Sequence, residues 1–173
     1  MDSSPILLVD DDGDDIFFFC RAMKREGLNQ AVDFAKDGQQ AIDYLSREGE
    51  FQHITSKPCL VVLDIKLPLL NGLQVLSWIR AQEEFKKLPV VVWSSSKLPS
   101  DLIHAYSRGA NSFFVKPSHP ADYVLFIRHL KTDFLRGGHG KGRKSGQTSK
   151  IPVLNPQGFM PAQSQSSSAA PMP

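Results

Sequence analysis

Four short apolar runs in this chain each stop abruptly at a polar side chain. Ile6-Leu7-Leu8-Val9 ends in Asp10-Asp11, Cys59-Leu60-Val61-Val62-Leu63 in Asp64, Val90-Val91-Val92-Trp93 in Ser94, and Phe113-Phe114-Val115 in Lys116. Between them lie longer segments of helical period, the pattern of repeated strand–helix units around a parallel sheet. Strands are predicted near 5–10, 30–35, 59–64, 89–94 and 111–115, and helices near 14–26, 38–48, 72–85, 100–108 and 120–135. The last helix shows the logic, since Tyr123, Ile127, Leu130 and Phe134 repeat on one face while Arg128 and Lys131 look elsewhere. Gly27, Gly49 and Gly109 stand at or just past three helix ends. A doubly wound α/β domain is the natural closure.

In such a sheet, ligands sit in the crevice beyond the carboxyl ends of the strands, so the groups that end these runs should converge. Asp10, Asp11 and Asp64 brought within a few ångström repel one another unless a divalent cation occupies the cluster. Oxygen ligands with retained waters favour magnesium or manganese. Asp64, projecting at its strand end, can then attack phosphorus as a nucleophile, with Lys116 and Ser94 supplying an ammonium and a hydroxyl to the phosphoryl oxygens. Asp12, Asp14 and Asp15 read as the acidic start of the first helix, where carboxylates favour the positive end of the dipole.

Charge is unevenly spread. The net charge is +2, but residues 136–173 carry Arg136, Lys141, Arg143, Lys144 and Lys150 with no acid, which leaves −3 for residues 1–135. Composition therefore divides the chain into a folded unit over 1–136 and a Gly/Ser/Pro/Gln-rich basic tail over 137–173, expected to be disordered because it is too poor in apolar groups to offset its ordering entropy. Five spread cations with no Phe, Tyr or Trp interleaved among them make a weak patch for nucleic acid, so a solvated tether is expected. No apolar run approaches the ~20 residues that span a bilayer, and a cytoplasmic location without membrane insertion is expected. Cys20 and Cys59 fit reduced, half-buried thiols. Phe17-Phe18-Phe19 should bury at least one ring and leave Phe17 or Phe18 at a partner surface.

Taken together, Val9-Asp10-Asp11, Leu63-Asp64-Ile65-Lys66-Leu67-Pro68 with Asn71-Gly72, Pro89 to Ser94, and Lys116-Pro117 resemble the receiver domain of two-component response regulators over residues 5–135. The long link at 49–58 and the loop after the third strand resemble the phytochrome-associated single-domain regulators. The resemblance implies a flavodoxin-like five-stranded parallel sheet of order 2-1-3-4-5 with five helices. It implies Asp64 as phosphoacceptor, Asp11 as a direct magnesium ligand, Asp10 as a water-mediated one, and the Lys66 carbonyl as a third. Ser94 and Phe113 would form the switch pair, and Lys66 and Ser96 would tune hydrolysis. The Lys116–Pro117 bond would be cis, aiming the lysine inward.

Implied partners are a histidine kinase, of phytochrome type in the finer reading, or a histidine phosphotransfer protein, with a possible homodimer and no DNA-binding domain. The output surface would be the face formed by the fourth helix, fifth strand and fifth helix. Ser94 stands where threonine is commoner and keeps the donor without the methyl that fixes its rotamer. A phosphatase of the haloacid dehalogenase type would need a general acid two residues after the nucleophile, where Lys66 stands. A flavin binder would need a hydroxyl-rich phosphate loop where this chain has Asp10-Asp11-Asp12. The chain is thus expected to be a phosphoacceptor signalling protein, not an enzyme acting on other substrates. A phosphorylation-independent adaptor on the same fold is the rival.

Overall fold

The computed structural model describes residues 4–135. The tail over 137–173, read above as a disordered tether, lies outside the described residues. Five strands, β1 (Ile6–Val9), β2 (Val32–Ala35), β3 (Leu60–Leu63), β4 (Val90–Ser94) and β5 (Ser112–Val115), form one sheet in the order β2-β1-β3-β4-β5. Every pairing is parallel, and the register sets Val9 beside Leu63, Leu63 beside Val92, and Ser94 beside Val115. Their carboxyl ends therefore finish almost level.

The helices are α1 (Gly13–Arg25), α2 (Gly38–Ser46), α3 (Gly72–Ala81), α4 (Pro99–Ser107) and α5 (Tyr123–Leu130). Local chemistry explains several starts. The Asp12 carboxylate accepts from the amides of Asp14 and Asp15, Asp37 accepts from Gln40, and Asn71 forms a reciprocal capping box with Gln74. Several boundaries differ from the sequence reading. The third helix stops at Ala81 and continues only as a 3-10 turn, Glu83–Phe85, and the fifth is preceded by another at Pro120–Asp122 and followed by a π turn, Lys131–Leu135. The left-handed cap of α2 falls on Arg47, with φ 59°, two residues before Gly49.

Alternation along the strands splits the core into two layers. Leu7, Val9, Val61, Leu63 and Val92 pack with residues of α2, α3 and α4, whereas Ile6, Leu8, Val62, Val91 and Trp93 pack with residues of α1 and α5. At roughly 1.5–3 kcal/mol per fully buried large aliphatic side chain, these layers supply the main drive to fold. Phe19 joins the α1–α5 layer while Phe17 is 58% exposed.

Candidate functional site

Because the strands end level, the polar residues just beyond them meet. Asp64 is tied to β1 by its amide, which donates to the Val9 carbonyl at 3.0 Å, and Lys116 to β4 by its amide, which donates to Ser94 at 2.9 Å. The Lys116 ammonium then reaches across the sheet end to Oδ2 of Asp64 at 2.6 Å and to Oδ2 of both Asp10 and Asp15 at 2.7 Å. The remaining oxygens are also held. Asp64 Oδ1 accepts the Lys66 amide and Asp10 Oδ1 the Asp12 amide, each at 3.0 Å.

Asp10, Asp11 and Asp64 bring carboxylate oxygens within 4.8 Å of one another, with Asp10 and Asp64 buried and Asp11 exposed. Burial pushes the Asp10 carboxyl up to about 6, against the pull of Lys116 and the Asp12 amide. For Lys116 burial acts to lower the value, but its bonds to Asp10, Asp15 and Asp64 outweigh it and hold the ammonium charged well above the ordinary range. Four carboxylates around one ammonium leave the site anionic, and an all-oxygen donor set of this kind fits a hard divalent cation. A cleft of about 500 Å³ opens over it, lined by Asp11, Asp64, Lys66 and Lys116 among others.

Other residues singled out in the sequence fall as follows. Ser94 is fully buried and its Oγ accepts the Ser96 amide at 3.3 Å. Ser96 does not face the cleft, because its hydroxyl donates to Asp101 in α4 and accepts the Leu98 amide, and the cleft is lined instead by Ser95. Phe113 is already packed inward, 6% exposed in the layer that holds Val92 and Ala105. The Lys116–Pro117 bond is trans, correcting the cis expectation: Lys116 reaches the three carboxylates without it.

Three participants were not anticipated. Asp15, read as a helix-start residue, is a partner of Lys116, and its Oδ1 accepts the Tyr123 hydroxyl. Burial, then the bond to Asp15, push the Tyr123 phenol upward. Trp93 lies below, its ring 5.3 Å from the Lys116 ammonium and edge-on to Tyr123 at 5.6 Å. Only the packing of α1 against α5 brings these groups together, and no local spacing announces it.

Comparison with known proteins agrees with this architecture. Residues 6–128 match the model of the response regulator receiver domain. The chain is 35% identical over 138 residues to the probable methanogenesis regulatory protein FilR2 of Methanothrix harundinacea, covering 79% of this chain and 87% of that protein. Its fold superposes on the phosphorylated cyanobacterial phytochrome response regulator RcpA with a TM-score of 0.72 at 30% identity, covering 77% of this chain and 94% of that one. It superposes equally on the Mn(2+)-bound form of the response regulator Rcp1, with a TM-score of 0.71 at 27% identity, covering 78% and 96%. The Rcp1 sequence, from Synechocystis, aligns over 130 residues at 28% identity, covering 75% of this chain and 88% of that protein. With the sheet order, the strand-end acids and the family match in agreement, the chain belongs to the receiver domain family of two-component response regulators.

Proposed function

We propose that this receiver takes a phosphoryl group from a phosphohistidine onto Asp64 and signals through a changed surface. The observation that carries the reading is the contact of the Lys116 ammonium with Asp64 Oδ2 at 2.6 Å, beside an acid cluster suited to a divalent cation. An Asp64 oxygen attacks phosphorus, the phosphorus–nitrogen bond breaks, and the departing imidazole takes up a proton as it leaves. The product is an acyl phosphate, which water later cleaves to carboxylate and inorganic phosphate. Asp10, Asp11, Asp64 and the Lys66 carbonyl would hold magnesium, whose chemistry is to neutralise phosphoryl oxygens that an anionic site would otherwise repel. Lys116 offers a compact charge to the same oxygens, and Ser94, whose oxygen already accepts the Ser96 amide, keeps its proton to donate.

The signal would leave by the face of α4, β5 and α5, where Ile103, Tyr106 and Leu125 are exposed. With Phe113 already buried, its part is to repack around Ser94 within the core and not to swing in from solvent. The resemblance to the phytochrome response regulator RcpA supports a phytochrome-type histidine kinase as the donor. The test is intact mass after incubation with acetyl phosphate and magnesium. One phosphoryl group should add to the wild type and none to Asp64→Asn. A wild type that stays unlabelled leaves the adaptor reading instead.

A further inference from the structure

Lys116 has three carboxylate partners, and they are not equivalent. Asp10 and Asp64 belong to the cluster that suits a cation, whereas Asp15 stands outside it on the first turn of α1. A cation would draw charge from Asp10 and Asp64, and a phosphoryl group on Asp64 would draw the ammonium toward itself. Asp15 is the carboxylate left free to hold the lysine through both changes. Its second oxygen is engaged too, accepting the hydroxyl of Tyr123, the first residue of α5.

The phenol is held firmly. Tyr123 is 3% exposed, its ring set between Phe18 at 5.4 Å and Trp93 at 5.6 Å, the latter at 89°. A fixed ring fixes its hydroxyl, so the oxygen cannot follow Asp15 without moving the start of α5. We propose that Asp15 is a positioning residue for Lys116, braced by Tyr123, and that displacement of the lysine toward a phosphoryl group passes through this pair to α5. The route differs from that of Ser94 and Phe113. Phe113 packs in the layer against α2, α3 and α4, whereas Tyr123 and Trp93 belong to the layer on the opposite face of the sheet. One event at Asp64 would thus reach α4 and α5 by separate faces.

The inference rests on Asp64 as phosphoacceptor, and the test separates the two. Amide resonances of the full chain are followed as magnesium and beryllofluoride, a phosphoryl mimic, are added to the wild type, Asp15→Asn and Tyr123→Phe. In the wild type, resonances at Lys66 and Lys116 and at Tyr123 and Val124 should all move. In Tyr123→Phe the site resonances should still move while those at 123 and 124 lose more than half of their response. Asp15→Asn should show the same loss and take phosphate from acetyl phosphate several-fold more slowly at saturating donor. Should Asp15→Asn fail to fold, Tyr123→Phe, which removes one oxygen atom, decides alone. An undiminished response at 123 and 124 in Tyr123→Phe overturns the role of the pair. Site resonances of the wild type that do not move overturn the phosphoacceptor reading itself.

Discussion

A methyl group added at Gly72 would stand 1.9 Å from the backbone carbonyl oxygen of Asp64. The first residue of α3 therefore packs against the main chain of the loop that presents Asp64, the proposed phosphoacceptor, and the Gly72 amide donates to the Ile65 carbonyl at 2.9 Å. Gly38, opening α2, abuts the far end of the same loop, where an added Cβ would lie 2.2 Å from the Leu70 carbonyl oxygen. Neither contact yields by a side-chain rotation.

Gly72→Ala should therefore displace the Asp64 loop as well as destabilise the fold. Overpacking of this kind costs roughly 1–3 kcal/mol. Chemical denaturation gives the loss of stability, and acetyl phosphate labelling should slow by more than that loss explains at temperatures where the variant remains folded. Labelling at the wild-type rate would show that the loop recovers its geometry.

Removing the ammonium isolates the charge problem. Lys116→Ala leaves the buried Asp10 and Asp64 facing each other without their shared cation, and the incoming phosphoryl oxygens lose a donor. Loss of one such preorganised group typically costs about 10²–10³ in rate. Phosphorylation by acetyl phosphate in magnesium should fall within or near that range, and because buried carboxylates lose their partner the variant should also be less stable, so rates are compared at temperatures where it remains folded.

The strand ends were legible because a buried parallel strand must be apolar to its last residue, so Asp10, Asp64, Ser94 and Lys116 each appear as a break in a run. The order β2-β1-β3-β4-β5 was legible only through the resemblance to receivers, since apolar runs alone do not say which strands pair. Asp15 was not legible, because Asp12, Asp14 and Asp15 all satisfy the same preference of a helix start for carboxylates. Only a lysine about a hundred positions further along, folded over the sheet end, separates Asp15 from its neighbours. Ser96 went astray for a related reason: its position two residues past Ser94 is fixed by the chain, but the turn into α4 directs its hydroxyl to Asp101. The end of α3 at Ala81 follows no breaker residue, and helical periodicity alone ran on to the 3-10 turn.

Cation binding should depend on pH through Asp10. Burial holds its carboxyl at about 6, so ionising it costs the folded chain more than the unfolded one. The folded state then retains a proton that the unfolded state has released between its ordinary value near 4 and about 6, and this group's contribution to stability falls as pH rises through that window. A divalent cation reverses the balance by favouring the ionised form. The rise in melting temperature produced by magnesium over chelator should be small at pH 5 and distinctly larger at pH 7. A rise of equal size at both would remove Asp10 from the cation site.

The lifetime of the phosphoaspartate should be set by Lys66. Its amide is fixed on Asp64 Oδ1 at 3.0 Å, and its exposed side chain lines the cleft, so the ammonium can lie across a phosphoryl group and occupy the space that in-line water needs. Ser96 cannot position such a water, since it does not line the cleft and its hydroxyl is committed to Asp101. Lys66→Asn shortens the side chain, opens the approach and adds an amide able to hydrogen-bond the water, while the backbone contact to Asp64 remains. Phosphate loss, followed by intact mass after the donor is removed at fixed magnesium and pH, should be several-fold faster in the variant. Equal rates would confine Lys66 to its backbone role and leave the lifetime to be set by Ser95, the serine that does face the cleft.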